Sequence, residues 1–177
     1  MRVYLLIALL ICSTFGFGQL KNLDLTNALV VGQLDKPEDR YTLEINLTEL
    51  LINHGVKSVA SLNILKQGAS PAILSSDSIK QMLKAKGIDT YVLVSVRGYD
   101  RKFKPAVKHD SLSVELSNGH LFPLYREEIV SITLEFNFYR NGEFVAYDII
   151  KLGGIGSREA VLKKFRKKIS KRISTWK

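Results

Sequence analysis

Two short runs constrain the fold more than any other feature of the sequence: Ala28 to Leu34 (ALVVGQL) and Thr90 to Val96 (TYVLVSV). Both are mostly apolar and rich in β-branched residues, the pattern of buried strands in an α/β sheet. The stretches between them read as helices and a further strand. Pro37 and its acidic neighbours open a segment in which Leu43, Leu47, Leu50 and Leu51 follow helical spacing. It stops at Asn53-His54-Gly55, where glycine suits a helix C-terminus. Tyr41, Leu43, Ile45 and Leu47 also alternate like a strand, but segment length and the terminal glycine favour the helix. Lys57 to Leu65 reads as the next strand. Ser75-Ser76-Asp77 offers N-caps for a helix carrying Ile79, Met82 and Leu83 that ends at Gly87. The order β-α-β-α-β predicts parallel strands joined by right-handed crossovers.

After the TYVLVSV run the pattern changes. Asn118-Gly119 and Asn141-Gly142 each lie between strand-like stretches, and Asn-Gly is a strong hairpin signal. Ser131 to Tyr139 alternates, with Ile132, Leu134, Phe136 and Phe138 on one face, and Glu143 to Lys151 returns antiparallel. The expected fold is therefore α/β: a single mixed sheet, β-α-β-α-β followed by antiparallel hairpins and a C-terminal amphipathic helix. No internal repeat or linker divides it.

That last helix follows Gly153-Gly154-Ile155-Gly156-Ser157. A Walker loop needs Gly-Lys-Ser/Thr and a dinucleotide loop needs a third glycine, and neither pattern is completed here. The glycines read as a strand-to-helix connection capped by Ser157. In the helix, Val161, Leu162, Phe165, Ile169, Ile173 and Trp176 fall within an arc of about 120° at 100° per residue. Burying six such side chains at about 1.5–3 kcal/mol each is worth on the order of 10 kcal/mol, so the stripe is expected to dock on the open sheet face. Lys164, Lys167, Lys168 and Lys171 lie outside the arc and form a basic outer strip.

The strip accounts for the charge of the whole chain. The formal net charge is +9, yet Gln19 to Ser157 holds 16 basic and 16 acidic residues. Arg158 to Lys177 holds nine basic residues against Glu159 alone. Such a strip suits an anionic lipid, glycan or acidic partner and permits peripheral membrane contact. Nucleic acid is disfavoured, because no nucleic-acid motif is present and the N-terminus indicates export.

Met1-Arg2, the apolar run Val3 to Ile11 and the small residues Gly16 and Gly18 have the layout of a cleaved signal peptide. Residues 1–18 are expected to be removed, leaving one α/β domain over 19–177. The apolar run is shorter than a spanning helix requires, and Ile11 is a poor residue before a lipidated Cys12. Cys12 is the one cysteine, so the mature chain would have no disulfide, thiol nucleophile or cysteine metal site.

Ligands of open α/β sheets sit at the carboxyl ends of the strands. This marks the loop after the third strand, where Arg97, Tyr99, Arg101, Lys102, Phe103 and Lys104 mix cations with aromatics, as a candidate site for an anionic or planar ligand. His54, His109 and His120 have no second histidine at ligand spacing, so no metal or other cofactor is expected. No nucleophile-elbow motif is present, and Glu127 and Glu128 are adjacent, which on a strand points them to opposite faces.

The textures "ALVVGQL", "NHG", "KGIDTYVLVSV" and "ITLEFNFYRNGEFVAYDI", followed by a closing helix, resemble a small α/β domain of exported proteins. It is shared by the curli-secretion lipoprotein, the lipoprotein activators of penicillin-binding proteins and the N-terminal domain of TolB. The "FGFGQ" cut site also looks like those of exported Bacteroidetes proteins. The resemblance implies a cell-envelope accessory protein, in the periplasm or on the periplasmic face of the outer membrane, that binds a partner protein or anionic component without catalysis. The alternatives are a small exported enzyme using the strand-end loops, or a nucleic-acid binder acting through the basic helix. Intact-mass measurement on separated cell fractions tests this reading. A species beginning at Gln19 in the periplasmic or peripheral membrane fraction is expected. A full-length cytoplasmic species would contradict export and favour nucleic acid.

Overall fold

A computed structural model describes residues 20, 23–66, 69–101, 109–118 and 121–177. The expected leader lies outside them, as do Lys102, Phe103 and Lys104 of the candidate loop. Among the described residues, no helix is long and apolar enough to cross a membrane. The elements run β1 (Asn27–Gln33), α1 (Pro37–Asn53), β2 (Lys57–Ala60), α2 (Asp77–Ala85), β3 (Thr90–Tyr99), α3 (Leu112–Asn118), β4 (Ser131–Arg140), β5 (Glu143–Gly153) and α4 (Arg158–Arg172). They build the expected α/β arrangement with one mixed sheet in the order β2-β1-β3-β4-β5. β1 runs parallel to β2 and β3, while β4 pairs antiparallel with β3 on one side and with β5 on the other.

Both sheet faces are covered, as the apolar strands require. On the first face, Val30, Val92, Val94, Phe136 and Phe138 pack under Leu43, Leu47 and Leu51 of α1 and Val161, Phe165 and Ile169 of α4. On the second face, Leu29, Val31, Leu93 and Tyr139 meet Leu83 of α2 and Leu112 and Leu116 of α3. The α1 terminus shows why its glycine is there. Gly55 sits at φ +79°, so that Val56 N–H reaches Leu51 O and Gly55 N–H reaches Ile52 O. A side chain at this position would be strained in that left-handed conformation. Asn141 (φ +54°) and Gly142 (φ +89°) likewise form the two-residue turn between β4 and β5.

Two expectations are corrected. The strand expected over Lys57 to Leu65 ends at Ala60 and continues as a 3₁₀ turn, Ser61–Asn63. The cause is Glu44, a fully buried carboxylate on α1 that draws in the Ser61 hydroxyl (2.8 Å) and Leu62 N–H (3.1 Å). The second is the hairpin expected at Asn118-Gly119: Leu112–Asn118 is a helix instead. Its residues Leu112, Val114 and Leu116 alternate like a strand, but Leu112 and Leu116, one turn apart, are the two that are buried.

The closing helix docks as its stripe requires. Val161, Phe165, Ile169, Ile173 and Trp176 are buried, and Leu162 packs at the margin. Its position is fixed by Asp148, buried on β5. Arg172 Nε and Nη2 donate to the two Asp148 oxygens at 2.6 and 2.7 Å. Trp176 Nε1 donates to Oδ2 at 2.8 Å, and the Ile149 amide to Oδ1 at 2.9 Å. The Trp176 ring lies 5.2 Å from both Phe136 and Phe138, tilted against one and edge-on to the other. Asp148→Ala would leave the buried Trp176 indole N–H without an acceptor and would remove the charge partner of the partly exposed Arg172. It is therefore expected to lower unfolding stability by about 2 kcal/mol in urea titration. Arg166→Ala, which removes the exposed pair with Glu49 (2.7 Å), should cost less than about 1 kcal/mol. Equal small losses would contradict a pinning role for Asp148.

Candidate functional site

The chain reverses its winding direction at β1. The crossover from β1 to β2 carries α1 over the first face, and that from β2 to β3 carries α2 over the second. The crevice between the carboxyl ends of β1 and β3 is thus a topological switch point, the usual ligand position in open α/β sheets. A cavity of about 430 Å³ opens there on the second face. Gln33 from β1, Ser95 and Arg97 from β3, Glu135 and Asn137 from β4, and His109 line it.

A β-bulge decides which residues of the expected loop take part. The register between β3 and β4 shifts between Val96 and Gly98, so Arg97 faces the cavity while Tyr99 joins the first-face cluster. The Tyr99 hydroxyl donates to Pro123 O at 2.5 Å, and the Arg126 guanidinium lies 4.1 Å from its ring centroid. Arg101 is exposed. The structure therefore brings Arg97 to the cavity and places Tyr99 on the opposite side of the sheet.

The lysines of the expected basic strip also divide. Lys164 Nζ donates to Gly153 O (2.5 Å) and Gly154 O (2.6 Å), and Lys168 Nζ to Lys151 O (2.5 Å). These two lysines occupy carbonyls at the outer end of edge strand β5. Lys167 and Lys171 project into solvent.

The cavity itself is chemically unusual. Glu135 and Asn137, alternate residues of β4, are only 4% and 6% exposed. Among the described residues, four buried side-chain polar atoms have no hydrogen-bond partner, and three of them belong to this one lining: Glu135 Oε1, Asn137 Oδ1 and His109 Nε2. A buried polar atom left without a partner costs roughly 1–3 kcal/mol. Glu135 Oε2 is faced by Arg97 Nη1 at 3.4 Å, a charge contact too long to be a strong hydrogen bond. The His109 ring is held flat against Phe144, 3.8 Å between centroids and 8° apart, with Tyr147 at 5.4 Å.

The electrostatics follow from burial. Burial pushes the Glu135 carboxyl above its ordinary value, with Arg97 partly opposing. Burial lowers His109, Arg97 adds to the effect and Asp110 opposes it. Both shifts disfavour the charged form, so both cost stability. Glu135 withdraws stability as pH rises through the carboxylate range towards its raised folded value. His109 withdraws it as pH falls through the ordinary imidazole range. Glu44 is the contrast: its two oxygens accept from Gly32 N–H (2.8 Å), Arg40 Nε (3.0 Å), the Ser61 hydroxyl and Leu62 N–H. Glu44 is committed to the scaffold, and Glu135 is not.

No group of three or more histidine, cysteine or carboxylate side chains suited to a metal occurs among the described residues. Glu135 and Asn137 take the polar positions of SITLEFNFY, opposite its apolar face, and Gln33 closes the apolar run of β1, so none of the three stands out as a site residue in the sequence. The available signal was the other face, where polar residues alternate along a strand that sits inside the sheet.

No protein-family model matches the sequence, and no curated protein matches it. Among solved structures, the chain is similar to the PelC dodecamer of Paraburkholderia phytofirmans. The TM-score is 0.43 at 12% identity, covering 86% of this chain and 88% of that one. It is also similar to lipoprotein GNA1162 of Neisseria meningitidis, with TM-score 0.42 at 10% identity over 84% of this chain and 96% of the other. Likeness at this level does not transfer a function.

Replacing an amide whose buried oxygen lacks a partner with an apolar side chain of similar shape relieves the desolvation cost of that oxygen. Asn137→Leu is accordingly expected to raise unfolding stability by about 1 kcal/mol, read by thermal or urea denaturation. A loss of comparable size would show that the amide is satisfied within the folded chain and would remove it from the site.

Proposed function

We propose that the protein is an exported, non-catalytic binding domain of the cell envelope that holds a small ligand in the cavity at its sheet switch point. The observation that carries this reading is the gathering of three partnerless buried polar atoms on one cavity. Folding has little reason to keep Glu135, Asn137 and His109 unsatisfied unless a ligand completes them, because apolar residues would fill the same positions at lower cost. Their mounting supports recognition. Two stand on an interior strand and the third is stacked on aromatic rings, so the polar atoms are positioned before a ligand arrives. The leader-like N-terminus supports export. The solvent-facing Lys167 and Lys171 support a contact with an anionic envelope component, separate from the cavity.

Amide-observed NMR with a mixed collection of small polar molecules tests the reading. Bound molecules are expected to shift the amide signals of Ser95, Arg97, Glu135 and Asn137, and to be recovered chemically unchanged. Hits that cluster elsewhere would contradict the cavity assignment, and conversion of a bound molecule would contradict the non-catalytic reading.

A further inference from the structure

Resting on that cavity as a ligand site, the geometry points to a ligand of one chemical class: a small primary amine, bound as its ammonium. The partnerless atoms decide the class. Glu135 Oε1 and Asn137 Oδ1 accept hydrogen bonds, and His109 Nε2 accepts whenever its proton sits on Nδ1. An ammonium carries three N–H donors and no acceptor, so it brings donors to such a lining without adding an acceptor that needs a partner. A polyol adds an acceptor with every donor. A carboxylate or phosphate brings acceptors only and would set its negative charge against Glu135.

Charge points the same way. The lining carboxylate Glu135 is faced by the Arg97 guanidinium at Oε2, while its Oε1 has no partner among the described residues. His109 adds no positive charge at neutral pH, since its environment resists protonation. An incoming cation would supply what Glu135 lacks, a second opposite charge beside its free oxygen, and would favour its ionised form. Phe122, with an exposed ring in the same lining, offers a face for the ligand's carbon chain or its charge.

The test uses three probes of similar carbon skeleton, n-butylamine, butyrate and butanetriol, titrated against the purified protein at low salt and followed by amide NMR. Butylamine is expected to shift the Glu135 and Asn137 signals saturably, and butyrate to leave them unmoved. Glu135→Gln, which keeps the shape and removes the charge, should weaken butylamine binding by about tenfold or more. Asn137→Asp, nearly isosteric, should strengthen it. This second variant guards against a folding defect in the first. Saturable binding of butyrate or butanetriol at these signals without butylamine would overturn the amine class and leave the cavity as a ligand site. Silence from all three probes would overturn both readings, and butylamine binding equally to Glu135→Gln and the unaltered protein would overturn the assigned contact.

Discussion

A carboxylate placed in the apolar face of a strand must be met by donors from elsewhere in the chain, and much of this molecule is arranged around meeting one. Asp148 on β5 takes the guanidinium of Arg172 and the indole N–H of Trp176. Both donors come from the closing helix and its last turn, so satisfying Asp148 fixes where that helix lies. Its apolar stripe then covers β4 and β5 beside α1, and the Trp176 carbonyl accepts the Leu25 N–H, tying the chain's end to the segment that opens β1. With α1 and α4 both committed to the first face, the shorter α2 and α3 are left to cover the second. Their cover leaves the cavity, onto which the polar side of β4 opens.

Three buried carboxylates show how burial and partnership sort scaffold from site. Asp148 and Glu44 each accept several donors, and both hold an element in place. Glu135 is as deeply placed, yet one of its oxygens has no partner and the other has only a long contact to Arg97. Partnered buried charges fix structure, and breaking them is costly. One left with a partnerless oxygen at a switch-point crevice, beside two other orphaned polar atoms, is better explained by something the folded chain does not contain.

Much of the architecture was legible in the residues. The two apolar strands, the glycine-terminated helices, the Asn141-Gly142 turn and the amphipathic stripe from Val161 to Trp176 are local patterns, and each reports on its own element. The misreadings had tertiary causes. Lys57 to Leu65 was cut short by a carboxylate on α1, and Leu112 to Asn118 became helix because the second face needed two side chains one turn apart. The site was less legible than the fold. Arg97 was readable from its loop, but the bulge that separates it from Tyr99 depends on strand register. Glu135 and Asn137 look like the solvated side of an amphipathic strand until the sheet order places β4 in the interior. His109 looked like an isolated histidine until Phe144 and Tyr147 closed on its ring.

The most direct measurement is a high-resolution crystal structure of the protein purified gently from its native cells, with attention to density in the cavity beside β4. Density for a bound molecule is expected within hydrogen-bond distance of Glu135 Oε1, Asn137 Oδ1 and His109 Nε2. Ordered water alone, fully satisfying all three atoms, would contradict it and return the cavity to a hydrated feature of the scaffold.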